Sequence, residues 1–151
     1  MPKSSVWPDT TKRPGEAEKD WLLRMLLQNL QSFASEAETL IRAYPPGVRA
    51  ADDLVNDFDG HLEFVERQTG SLNAGDLDRV RAVWEKIHEM SGRHDPSLWT
   101  DEGLRTRPDW EKVRRLAREA LSSMGYDLDP PPPWQKRMRV ATARGKPADS
   151  R

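Results

Sequence analysis

The sequence predicts an all-α fold, an antiparallel four-helix bundle with disordered or loosely docked N- and C-terminal tails. Three observations carry that expectation. Apolar residues recur at helical spacing through four stretches, each closed by Gly or Pro. No stretch shows sustained apolar/polar alternation between hairpin turns. Val and Ile together number only ten, few for a sheet. A length of 151 residues suits one compact domain. Leu, Ile, Val and Phe supply 28 of them, about 19%, close to the level at which chains stop folding. A modest core with disordered ends is therefore expected.

Residues 1–15 hold Pro2, Pro8, Pro14 and Gly15 with little to bury, and read as a flexible lead. The helical domain spans 16–126. Its first helix runs from Glu16 to about Ala43, with Leu22, Leu23, Leu26, Leu27, Leu30, Phe33, Ala34, Ala37, Leu40 and Ile41 in an arc of about 140°. Pro45-Pro46-Gly47 stops it. The second fits Arg49 to Gln68, burying Ala51, Leu54, Val55, Phe58, Leu62 and Val65. Asn73 is a good N-cap for the third, with Asp76 in its first turn and Leu77, Val80, Val83, Trp84, Ile87 and Met90 inward. Thr100 caps a short turn through Leu104. Pro108 then opens the last helix, where Trp110, Val113, Leu116, Ala117, Ala120, Leu121 and Met124 share a face closed by Gly125. Residues 127–151 form a Pro-rich linker and basic tail, with Tyr126 or Trp134 available to pin it to the helices.

Several function classes drop out. Without Cys there is no disulfide framework, thiol nucleophile or Cys-based zinc site. No apolar run follows the N-terminal residues, and the most apolar stretch, Trp21–Leu27, is interrupted by Arg24 and too short to span a bilayer. A cytoplasmic protein without membrane contact is expected. There is no G-x-S-x-G elbow or Gly-rich phosphate loop, and His61, His88 and His94 lie too far apart for a local metal motif. The expectation is a protein without catalytic residues, cofactor or metal.

Charge is unevenly placed. The net charge is −1, yet residues 135–151 carry +5, leaving −6 on the rest. Between Ala50 and Glu66 stand Asp52, Asp53, Asp57, Asp59, Glu63 and Glu66, with no Lys or Arg. Such a helix gains no i,i+4 pairs within the segment. Asp53 and Asp57 fall on a line with Gly60 and Phe64, which displaces Phe64 from the core stripe. One reading is a solvated face with Phe64 tucked under a neighbour. The other is a docking surface for a basic protein, with Phe64 as anchor and the acids steering. A third reading, a carboxylate metal-dependent phosphohydrolase, notes the i,i+4 pairs Asp53/Asp57 and Asp59/Glu63 but finds no matching cluster elsewhere.

Trp21 and Met25 lie opposite the main apolar face of the first helix. They are either covered by residues 1–14 or the Trp134 segment, or form a secondary contact patch. Arg114, Arg115 and Arg118 line one side of the last helix; with the tail they could meet phosphates, giving an alternative reading as a nucleic-acid-associated accessory protein. The acidic body and the lack of a recognition signature argue against nucleic acid.

Leu98-Trp99-Thr100-Asp101-Glu102-Gly103-Leu104, followed by Pro108-Asp109-Trp110-Glu111-Lys112-Val113-Arg114-Arg115-Leu116-Ala117 and preceded by the acidic helix, resembles small uncharacterised all-helical bacterial proteins of the polymorphic-toxin immunity type. The resemblance spans roughly residues 50–124. It implies a non-enzymatic inhibitor that neutralises a cognate toxin by surface complementarity.

Overall fold

The computed structural model describes residues 11–68 and 70–136. Helix accounts for 71% of them and strand for none, so the chain is all-α. The elements are α1 (Glu18–Ala34), α2 (Ala37–Arg42), α3 (Ala50–Arg67), α4 (Ala74–Gly92), a 3-10 turn at Pro96–Trp99, α5 (Asp101–Thr106) and α6 (Pro108–Ser123). The expectations for residues 1–10 and 137–151 lie outside the described residues. None of these helices is long and apolar enough to cross a membrane.

The single first helix expected over 16–43 is broken in two. Ser35 and Glu36 are extended, with ψ of 162° and 152°. The break is held by α6: Arg114 Nε donates to the Ser35 carbonyl and Arg118 Nε to the Ala34 carbonyl, each at 3.0 Å. Two guanidinium groups thereby satisfy carbonyls at the negative end of α1. Periodicity could not reveal this, because the apolar spacing runs on through Ala37, Leu40 and Ile41.

Other starts and stops follow the local chemistry. The Asn73 side chain accepts from the Asp76 amide at 2.8 Å, and Thr100 Oγ1 from the Gly103 amide at 2.9 Å. Pro108 occupies the first turn of α6. Gly125 takes φ +79°, a conformation that a Cβ would strain.

Helix α1 packs against α3 and α6, and α6 against α4. Leu26, Leu27, Leu30, Phe58, Ile87, Val113 and Leu121 are all sealed from solvent. Each contributes about 1.5–3 kcal/mol by its burial. An aromatic group joins four elements: Phe33 meets Phe58 edge-on at 5.2 Å and stacks on Trp110 at 6.4 Å, while Trp99 meets Trp110 edge-on at 5.6 Å. The Trp110 indole donates to the Leu98 carbonyl at 2.6 Å, tying the 3-10 turn to α6.

From Arg24 to Ala34 every residue of α1 is buried, polar ones included. The polar side is covered by chain on either side of the helices. Arg24 pairs with Glu16 at 3.0 Å and donates to the Thr11 carbonyl at 2.7 Å. Gln31 Nε2 donates to the Asp127 carbonyl at 3.2 Å. Pro131 is buried. Within the described part of the lead, the Thr11 carbonyl thus meets α1 and the Arg13 amide donates to Glu16 Oε1 at 2.9 Å. Met25 is likewise buried and Trp21 half-buried. The secondary patch proposed for that pair is not an open surface.

Candidate interaction surface

Helix α3 is amphipathic, and its inward face seats Leu54, Phe58, Leu62 and Val65 in the core. The six acids on its other sides do not act alike. Those nearest α4 are engaged across the helix pair: Glu66 meets Arg81 Nε at 2.6 Å, and Asp59 lies 3.6 Å from His88 Nε2. The His88 ring also stacks on Trp84, with centroids 3.7 Å apart. One Asp59 oxygen is sealed from solvent without a hydrogen bond.

Two more acids are paired at the helix ends. Asp52 faces Arg49 at 3.6 Å, and Glu63 meets Arg67 at 2.6 Å. Both arginines sit just outside the acid run. Exposed pairs like these contribute little stability, about 0–1 kcal/mol each, but they reduce the local field. The six acids thus divide into flanks that face Arg49, Arg67, Arg81 and His88 and a solvent-exposed centre.

That centre is the ridge Asp53, Asp57, Gly60 and Phe64, spaced i, i+4, i+7 and i+11 along about 16 Å of helix. Asp53 and Asp57 are exposed, and Phe64 is 49% exposed rather than tucked beneath a neighbour. The only other large exposed apolar side chain among the described residues is Leu128. A Cβ built on Gly60 would meet nothing within 4 Å, so no intramolecular packing requires glycine there. Beside the ridge, His61 turns inward, its Nδ1 2.7 Å from Asn29 Oδ1 of α1. Burial lowers the His61 pKa, and the Asp57 carboxylate opposes that shift.

The basic side of α6 is mostly committed to structure. Arg114 is buried against Ser35 and Glu111, and Arg118 holds Ala34 and pairs with Glu36 at 3.0 Å. Only Arg115 of the three is exposed, so the expected phosphate-facing row is not presented as a row. The other component of that reading, the basic tail, lies almost wholly outside the described residues.

Sequence reading missed a charged clasp between α4 and α6. Asp109, in the first turn of α6, accepts from Lys86 Nζ at 2.9 Å and Arg93 Nη2 at 2.6 Å, and Glu89 bridges the same two cations. Hydrogen bonds from Arg93 and Lys86 hold the Asp109 carboxyl well below the usual carboxylate range, and the same partners bring Glu89 to about 2. The i,i+3 and i,i+4 spacing of Lys86, Glu89 and Arg93 was a legible signal; their meeting with Asp109 was not. Among the described residues no group of three or more His, Asp or Glu is placed to hold a metal ion.

Comparison with protein-family models, curated proteins and solved structures finds no match for this chain.

Proposed function

We propose that this chain is a non-enzymatic protein-binding inhibitor, an immunity-type protein that neutralises a basic toxin through the outer face of α3. In this reading the four long helices act as one antiparallel bundle, a rigid scaffold that needs no catalytic group or cofactor. The observation that carries it is the half-exposed Phe64 in line with the solvent-exposed residues Asp53 and Asp57. A partly exposed aromatic ring ringed by charge has the composition of a binding hot spot with a steering field. The unfilled space over Gly60 lets a partner side chain approach the α3 backbone between the two.

A toxin that acts on nucleic acid has a basic cleft, and a ridge of carboxylates can occupy it in place of phosphates. Close charge pairs at such interfaces couple by about 1.5–7 kcal/mol. Asp52, Asp59, Glu63 and Glu66 then serve as a secondary ring, each already beside an arginine or histidine of this chain. The test compares wild type with Asp53→Lys/Asp57→Lys/Glu63→Lys as baits in native lysate at low and moderate salt. One basic protein captured by wild type alone supports the reading. Equal capture by both baits removes α3 from the interface, and recovery of nucleic acid alone favours the accessory-protein alternative.

A further inference from the structure

A groove of about 320 Å³ opens between α2, the turn that follows it and the returning segment around Trp134. Two aromatic residues, Tyr44 and Trp134, line it together with Ile41, Val48 and prolines. Its one carboxylate is that of Asp101, at the start of α5 and partly shielded from solvent. Among the described residues that carboxylate makes no hydrogen bond or ion pair. Arg105, one turn on, feels its charge but is engaged by Glu38 and Glu102. Arg42, on the groove's lining, turns its Nε back to the Glu38 carbonyl of its own helix.

We propose that this groove is a receptor site for a cationic side chain, arginine above lysine, carried by a protein partner. Aromatic walls accept an alkyl stem and attract a cation through their ring faces. The Asp101 carboxylate then takes the charge in a hydrogen-bonded pair. Guanidinium fits this better than ammonium because it is planar, weakly hydrated and able to stack. A neutral side chain of the same shape would leave the partly shielded Asp101 carboxylate unpaired, whereas an anion would have to turn to Arg42, whose Nε is already given to the Glu38 carbonyl. The inference is independent of the α3 reading, because Asp53, Asp57 and Phe64 do not line the groove.

The experiment follows the Trp134 indole N–H signal by NMR in the full-length protein. The probes are an acetylated Gly-Arg-Gly amide, its citrulline counterpart of equal shape and no charge, and a Gly-Glu-Gly amide. The arginine peptide should shift the signal saturably, with binding weakened roughly tenfold or more for citrulline and for the Asp101→Asn variant. Near-UV dichroism confirms that the variant is folded, and Trp134→Ala followed through the Tyr44 signals provides a second reading. The proposal is overturned by no saturable shift, by equal responses to arginine and citrulline, or by preference for the glutamate peptide. A response lost in Asp53→Lys/Asp57→Lys but kept in Asp101→Asn would place the peptide on α3, sinking the groove and leaving that other surface standing. A response seen only after removal of residues 137–151 would make the chain's own tail the occupant, against the assignment to a partner.

Discussion

Two of the helical glycines, Gly103 and Gly60, have opposite surroundings, and replacing each by alanine should move stability in opposite directions. At Gly103 in α5, an added Cβ would lie 2.2 Å from the Ser97 carbonyl oxygen and 2.8 Å from that of Leu98. Both obstacles are backbone, and the turn that carries them cannot yield easily. The Ser97 amide is bound to Asp95, and the Leu98 carbonyl accepts the Trp110 indole. Relief requires α5 to move off the 3-10 turn by more than 1 Å, since carbon–oxygen contact needs about 3.4 Å or more. Overpacking of this kind costs about 1–3 kcal/mol, and a clash with fixed backbone belongs at the upper end. Helix propensity returns about 1 kcal/mol. Gly103→Ala should therefore destabilise by about 2 kcal/mol, lowering the melting temperature by about 4–8 °C. At Gly60 in α3 the same methyl meets open space. Gly60→Ala should stabilise by about 0.5–1 kcal/mol. Urea titration with a common m-value measures both. A neutral Gly103→Ala would refute the close approach of α5 to the turn, and a destabilised Gly60→Ala would refute the open ridge.

Three further outcomes follow from the packing. Arg114→Met removes the donor to the Ser35 carbonyl and should cost about 2 kcal/mol in urea titration, with faster amide exchange at the end of α1; unchanged exchange there would separate α6 from the helix break. The His61 pKa is lowered in the folded state, so the unfolded chain binds its proton first and stability falls as pH drops below 6.5. His61→Gln should lose that slope between neutrality and mild acid, and a slope that persists would assign it elsewhere. The carboxyls of Asp109 and Glu89 are depressed, so their stabilisation is present above the unfolded carboxylate range near 4 and lost as pH falls toward about 2. Asp109→Asn should flatten acid unfolding over that window, and an unchanged acid limb would dissociate the clasp from it.

Much of the architecture was legible because it rests on local chemistry. The caps at Asn73 and Thr100, the opening proline of α6 and the turn at Gly125 all depend on residues within one helical turn. The inward faces of α3, α4 and α6 follow from periodicity alone. What escaped was set by partners distant in sequence. Arg114 and Arg118 end α1 from about 80 residues away, and their spacing on α6 looks like any solvated row. The polar stripe on α1 reads as an exposed face until residues 11–16 and 127–131 cover it. At the candidate surface, the line from Asp53 to Phe64 was readable from the wheel. The pairing of Glu66 with Arg81 and Asp59 with His88 was not, because it needs the register between α3 and α4.

The central claim is that the outer ridge of α3 recognises a basic protein. Once the wild-type bait has captured its partner, titration calorimetry of that purified partner against wild type, Phe64→Ala and Asp53→Lys/Asp57→Lys tests it most directly. The account predicts a loss of about 2 kcal/mol, roughly thirtyfold, for Phe64→Ala at any salt concentration, and a larger loss for the charge reversal that shrinks as salt rises. Affinities that match wild type in both variants would contradict it.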